Sequence, residues 1–251
     1  MVNRDELVAY INELLQIARF RDYTPNGLQV EGRDDIRVVA SAVTASYRAV
    51  EEAVALGADA LLVHHGYFWQ GEAAPVVGMK RRRLALLLDN QINLLAYHLP
   101  LDAHELYGNN VQLARVLGLR IGGCFGPEPG LTWFGEPAQA MEGEEFAAHI
   151  TRSLGREPLH IPAQDARPIR RIGWCTGAAQ KYIVAAAEAG LDAYLTGEAS
   201  EQNYHVAQEL NIHFFAAGHH ATERYGVRAL CDHLASRWQL QHHVIDIANP
   251  I

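Results

Sequence analysis

Cysteine is scarce and scattered in this chain of 251 residues: Cys124, Cys175 and Cys231 are odd in number, far apart and in no CxxC pair. That excludes a disulfide framework and a zinc ribbon. Long apolar runs are missing too, and the first residues, Met1-Val2-Asn3-Arg4-Asp5-Glu6, lack the basic and then apolar regions of a signal peptide. A cytoplasmic protein without membrane contact is the expectation. Nor is there an excess of positive charge. A formal net charge of −8 argues against general affinity for nucleic acid or anionic lipid. The short basic runs Lys80 to Arg83 and Arg167 to Arg171 read as solvated faces. What remains is a globular composition, 49% hydrophobic and 20% charged, long enough for one large core or two smaller ones. Its oddity is thirteen histidines, several of them clustered.

The chain is organised around Leu61-Leu62-Val63-His64-His65-Gly66. A short apolar run closed by glycine predicts a buried strand of a parallel sheet. The histidines then stand at its carboxyl end, where open α/β sheets bind ligands. Neighbouring side chains point to opposite faces of a flat strand, so both histidines serve one site only if the strand turns there or two ions lie side by side.

The order of elements repeats. In the first half, a helix over 5–18 is followed by the turn Tyr23-Thr24-Pro25-Asn26-Gly27, and strands are predicted at 28–30, 36–43, 60–63 and 92–97, with helices at 46–56, 81–89 and 110–117. The glycine- and proline-rich segment 122–137 reads as a linker, which divides the chain into α/β domains at 1–124 and 125–251, with exchange of a strand or helix between them allowed. The second half gives helices at 143–154, 182–189 and 222–238 and strands at 169–175, 193–195, 212–216 and 241–247. Gly57 to His65 aligns with Gly190 to Glu198, so His65 corresponds to Glu198. His98 to Asp102 aligns with His219 to Glu223 after a one-residue gap, each a histidine followed four residues later by a carboxylate. The fold class expected is α/β: two similar α/β domains related by internal duplication, with a dinuclear metal site between them.

The chemistry follows from the repeat. A strand-end histidine and an acid four residues on share one face if the chain turns into a helix there. Imidazole and carboxylate are ligands for zinc, iron, manganese or nickel. The first half brings His64, His65, His98 and Asp102, the second His219 and Glu223. Four imidazoles and two acids suit two divalent ions, and the lack of a thiolate among them points to catalytic rather than structural metal. His104, His205, His213, His242 and His243 read as structural or exposed.

The segments Pro25 to Gly32, Val43 to Ser46, Val63 to Trp69, His98 to Asp102, Thr196 to Glu198 and Ala217 to Glu223 resemble the YbgI-like dinuclear metal-centre proteins, the NGG-interacting-factor-like family. The resemblance covers essentially the whole chain. It implies a toroidal homohexamer, ligands at the six residues just named, and kinship with homologues of a second type of GTP cyclohydrolase. One departure is Thr176-Gly177-Ala178-Ala179, where relatives tend to carry a glycine-rich turn. Bare backbone is therefore not expected to cradle a phosphate there.

Two functions fit. One is a metal-dependent hydrolase acting on a small molecule, a nucleotide or cyclic amide, with Glu198, Thr44 and Tyr67 orienting substrate or moving a proton. Thr44 also reads as a helix cap and Tyr67 as packing. The alternative is a non-catalytic, metal-binding hexameric scaffold.

Overall fold

A computed structural model describes residues 1–128, 130–165 and 167–251 of the chain. In chain order its first elements are β1 (Val2–Asn3), α1 (Arg4–Leu14), β2 (Gly27–Val30), β3 (Asp35–Ile36), β4 (Val38–Thr44), α2 (Tyr47–Ala55), β5 (Ala60–His65), α3 (Gly78–Asp89), β6 (Asn93–Ala96), α4 (Leu99–Ala103) and α5 (Asn109–Val116). There follow β7 (Arg120–Cys124), β8 (Trp133–Glu136), α6 (Gly143–Leu154), β9 (Leu159–Ile161), β10 (Ile172–Trp174) and α7 (Ile183–Glu188). The chain ends with β11 (Ala193–Thr196), α8 (Gln202–Glu209), β12 (His213–Ala216), α9 (His219–Trp238) and β13 (Gln241–Val244).

These elements form two compact units: unit 1 is Met1–Leu101 with Gly226–Ala248, and unit 2 is Asp102–Tyr225 with Asn249–Ile251. The division runs through α4 and α9, not at the expected 124/125. The reason is that α9 continues past Tyr225 and delivers β13 to the sheet of unit 1, where it pairs in parallel with β4. The expected linker is also corrected. Cys124 pairs with Trp133 and Arg120 with Glu136, so β7 and β8 are antiparallel strands of the second sheet. Pro129, counted in that linker, lies outside the described residues.

In unit 1 the strand order is β13-β4-β5-β6-β2. β4, β5 and β6 run parallel, as their apolar runs require, and β2 closes that edge antiparallel. Leu61, Val63, Leu94 and Ala96 meet Ala49, Val50 and Leu87 in the core. α2 starts at Ser46, whose Oγ accepts from Ala49 N at 3.2 Å. Thr44 is therefore not the cap of this helix.

Unit 2 has the order β7-β8-β10-β11-β12-β9, again with three parallel central strands and an antiparallel edge, here β9. Its core packs Trp174, Leu195 and Phe215 against Phe146 and Ile150 on one side, and Tyr194 and Phe214 against Ile183 and Ala186 on the other. The two sheets share their pairing register. Ala60 pairs with Asn93 and Val63 with Ala96, while Ala193 pairs with His213 and Thr196 with Ala216. The same carboxylate device precedes each: Asp59 Oδ2 accepts from Arg37 N and Val38 N, and Asp192 Oδ2 from Arg170 N and Arg171 N, at 2.7–3.0 Å.

Candidate metal centre

In unit 1 the carboxyl ends of β5 and β6 carry three histidines. His64 is fully buried and His65 half-buried. Their ring centroids lie 4.6 Å apart, an approach that neighbours on a flat strand could not make. Gly66 follows, and a Cβ there would meet Gln29 Oε1 at 2.2 Å and Ala96 Cβ at 2.5 Å, so only glycine lets the chain leave the strand by this route. His98 follows β6, its ring 5.0 Å from that of His64 and 5.8 Å from that of His65. One nitrogen from each of the three lies within 4.8 Å of the others, a spacing that fits a shared metal ion.

Each of these rings is anchored at Nδ1. His64 Nδ1 is 3.0 Å from the Tyr97 carbonyl, His65 Nδ1 is 3.2 Å from Thr44 Oγ1, and His98 Nδ1 is 2.8 Å from Asp22 Oδ1. A ring that donates Nδ1–H presents the lone pair of Nε2. Asp22 is the most thoroughly held of these partners. Its side chain is 3% exposed, and Oδ2 accepts from Leu99 N at 3.0 Å and Asn26 Nδ2 at 2.9 Å. Burial would raise its pKa, but the hydrogen bond and charge of His98 outweigh that, and the carboxylate stays below its ordinary value.

Unit 2 carries a second group of candidate ligands on α4 and α9, beside the loop after β10. His219 opens α9 and Glu223 lies one turn on, with His219 Nε2 and Glu223 Oε2 3.1 Å apart. Glu198, past the end of β11, takes the other ring nitrogen: Oε1 accepts from His219 Nδ1 at 2.6 Å. Burial alone would push the His219 pKa down; Glu223 and then Glu198 reverse this and hold it at about 9 in the metal-free protein. Gly177 passes against this pair at φ +67°, and a Cβ there would meet Glu223 Oε1 at 2.1 Å. Asp102, buried at 7% exposure, is oriented through Oδ1 by Asn109 Nδ2 at 2.9 Å and Thr176 Oγ1 at 3.3 Å. Cys175, beside this group in sequence, is buried and its thiol pKa is pushed well up, first by burial and then by Asp102 and Glu223. Among the described residues, the side chains spaced to hold a metal ion are imidazoles and carboxylates, the donor types of a catalytic metal site.

In unit 1, His64 and His65 close β5 and His98 follows β6; in unit 2, Asp102 lies in α4, and His219 and Glu223 stand at the start of α9. Of the three residues expected to act on substrate, Thr44 holds His65 and Glu198 holds His219. Tyr67 is 6% exposed, donates its hydroxyl to the Ala45 carbonyl at 2.8 Å and is pushed up to about 12 by burial. Sequence reading missed Asp22, Asn109 and Thr176. Asp22 alone left a signal, an acid just ahead of the Pro25-Asn26-Gly27 turn.

The family described as Duf34/NIF3 (NGG1p interacting factor 3) matches residues 2–250. A Pseudomonas aeruginosa protein named "GTP cyclohydrolase 1 type 2 homolog" is 56% identical over 248 residues, covering 97% of each chain. An Escherichia coli K12 protein of the same name is 50% identical over 245 residues, covering 98% of each. Among solved structures, "protein ybgI, unknown function" superposes with a TM-score of 0.96 at 48% identity over 100% of both chains. TTHA1606 from Thermus thermophilus does so with a TM-score of 0.90 at 34% identity, also over 100% of both.

Proposed function

Since the chain belongs to the Duf34/NIF3 family, we propose that it is a cytoplasmic, divalent-metal-dependent hydrolase in which two duplicated units supply one dinuclear centre. The observation that carries this reading is the anchoring of all four histidines at Nδ1, two of them by carboxylates, so that Nε2 is the nitrogen each would offer a metal. His64, His65, His98, Asp102, His219 and Glu223 would hold zinc, iron, manganese or nickel. Bound there, two such ions supply Lewis acidity and a nucleophilic water at neutral pH.

The chain's own residues do the rest. Asp22 and Glu198 keep the Nδ1 protons of His98 and His219 in place, Asn109 and Thr176 fix the Asp102 carboxylate, and Thr44 sets the His65 ring. Glu198 is the candidate for moving a proton, because its carboxylate is 35% exposed and can face both His219 and water. The relatives' name, which refers to a GTP cyclohydrolase, supports a nucleotide or cyclic amide as substrate. The same reading takes the assembly to be a toroidal homohexamer. Val76, Val77 and Met79, 50–66% exposed, give unit 1 an apolar surface that fits subunit contact.

A metal-binding scaffold is the second reading, favoured by the engagement of the Tyr67 and Thr44 hydroxyls with other partners. Elemental analysis, followed by a hydrolysis panel of nucleotides, phosphoesters and cyclic amides, separates the two. The hydrolase reading expects about two ions per chain and turnover that Glu223→Ala abolishes. Metal without turnover leaves the scaffold; no metal after reconstitution ends both. Sedimentation at a monomer's mass would end the hexamer.

A further inference from the structure

A cleft of about 770 Å³ in unit 2 is lined by Glu128, Lys181, Tyr182 and Val184 among others, but no candidate ligand lines it, and Lys181 pairs with Glu128 at 3.5 Å. A smaller cleft, about 470 Å³, lies in unit 1 and is lined by Arg21, Asp22, Tyr23, Phe68 and Gln70 among others. It adjoins the histidines through its own walls. Asp22 holds His98 Nδ1, and the Tyr23 ring lies 5.9 Å from the His98 ring. It is shallow and open to solvent, so a ligand there would be held by contacts with its lining side chains rather than by enclosure.

The loops around the cleft are stitched together without a ligand. Thr24 Oγ1 donates to the Tyr67 carbonyl at 3.0 Å, Gln70 N to the Tyr23 carbonyl at 2.7 Å, and Tyr67 N to Gln29 Oε1 at 2.6 Å. Binding there need not first order the loops, which favours affinity.

Phe68 marks the cleft as more than a surface dent. Among the described residues, Gln16, Phe68, Gln91, Asn211 and Gln239 are the non-glycines at positive φ, and all but Phe68 lie within two residues of a helix's carboxyl end. Phe68 takes φ +64° in a loop three residues past His65, at 37% exposure, with Lys80 Nζ 5.2 Å from its ring centroid. A bulky side chain in that region is strained, and strain of this kind persists where the surrounding structure holds it and often where ligands bind. Tyr23, across the cleft's lining, is itself 50% exposed.

We propose that this cleft is a binding subsite for a planar, π-rich ring that carries an anionic group, the chemistry of a mononucleotide. The ring lies against Tyr23 and Phe68, the Arg21 guanidinium takes the anion, and the Gln70 amide meets the ring's polar edge. The Asp22 carboxylate, engaged with His98, Leu99 and Asn26, does not repel the anion through an exposed face. The proposal rests on the hydrolase reading for what happens at the histidines, but not for the binding itself.

Calorimetric titration of the full chain, metal-loaded and chelator-treated, with AMP, GMP, ribose 5-phosphate, adenosine and guanosine tests it. At least one monophosphate is expected to bind about tenfold or more tighter than ribose 5-phosphate and its own nucleoside, with Tyr23→Ala and Arg21→Ala each losing about tenfold at unchanged metal content. Phe68→Gly should weaken binding while raising the melting temperature, because it removes the strain; a merely structural Phe68 would lower both. No binding by either monophosphate, equal binding of ribose 5-phosphate, or wild-type binding by Tyr23→Ala and Phe68→Gly overturns the subsite. Binding without turnover would defeat the hydrolase reading and leave the subsite standing. Turnover with an unchanged KM in Tyr23→Ala would do the reverse.

Discussion

The ends of β5 and β11 occupy the same place in two sheets of matching register, yet they are furnished differently. His65 stands where unit 2 has Glu198, and Thr44 where it has Gly177. In unit 1 the position offers an imidazole held by a hydroxyl at 3.2 Å; in unit 2 it offers a carboxylate that holds another imidazole at 2.6 Å. At this position unit 1 thus has a candidate ligand and unit 2 a residue that holds one. His98 and His219 are held alike, each with an acid on Nδ1, but that acid is Asp22 from a distant loop in one unit and Glu198 from just past β11 in the other. The scaffold fixes where a side chain stands, and the residue type decides whether it offers an imidazole or a carboxylate that orients one.

The largest effect should come from removing ligands that lie in different units. His64→Ala and Glu223→Ala are each expected to lower metal content clearly below about two ions per chain and to cut turnover by more than about 100-fold, since even outer partners of metal ligands are worth roughly 10–100-fold. Activity should fall further than metal content, because a single remaining ion lacks the paired chemistry. Elemental analysis alongside single-turnover rates checks this. Full metal content in either variant would break the assignment of that unit's ligands.

Next come the orienting acids. Asp22→Asn and Glu198→Gln should each weaken metal binding by about 10–100-fold in chelator competition, with the fold retained. The comparison sharpens if Thr44→Val, which removes only a hydroxyl, costs less than either. If Asp22→Asn binds metal as the wild type does, the carboxylate at His98 is structural.

The strands that carry the candidate ligands were legible in the sequence, because the two halves read as one order of elements. The sequence aligns Ala60–Val63 with Ala193–Thr196 and Asn93–Ala96 with His213–Ala216, so the candidate ligands at the strand ends could be matched residue by residue, and the structure pairs those strands in the same register. What lay outside the repeat was not legible. Asp22 meets His98 across 76 residues and Thr176 meets Asp102 across 74, and no local pattern foretells such pairings. β9 is three residues long, too short to show alternation, and β8 lies in a glycine-rich stretch that reads as loop. α8 buries only Asn203 and Ala207, too little for a helical stripe. The exchange of β13 into unit 1 follows from the length of α9, which carries no boundary signal at Tyr225.

A smaller effect separates Thr44 from Gly177. At φ +67°, with the Glu223 carboxylate in the way of a Cβ, Gly177→Ala should destabilise the protein by about 1–3 kcal/mol and displace Glu223. Thr44→Ala should cost about 1 kcal/mol or less, the worth of one hydrogen bond. Urea denaturation of the metal-free proteins measures both. Equal costs would mean that the two loops do not differ in the way described.

The smallest effect concerns the opposite ends of the same strands. Asn93 and His213 open β6 and β12 at equivalent positions, and both tie down a neighbouring loop: Asn93 Oδ1 accepts from Gly32 N at 2.8 Å, and His213 Nδ1 from Ala163 N at 3.3 Å. Asn93 does not titrate, whereas His213 stands in a histidine pair. His160 Nε2 lies 3.1 Å from His213 Nδ1, and the His160 ring stacks on Phe215 at 4.4 Å. Burial and then His213 push the His160 pKa below its ordinary 6.5, with Glu144 opposing them from α6. A histidine whose folded pKa is depressed binds fewer protons than the unfolded chain in the window between the two values. Its contribution is therefore fully present above pH 6.5 and declines as the pH falls from there toward the folded value. Hydrogen exchange at pH 7 and pH 5 should show unit 2 losing protection around β9 and β12 on acidification, with β2 and β6 of unit 1 changing less. His160→Phe, which keeps the stack on Phe215 and removes the titrating ring, should flatten the difference. An undiminished loss at β9 in that variant would assign the acid sensitivity to another group.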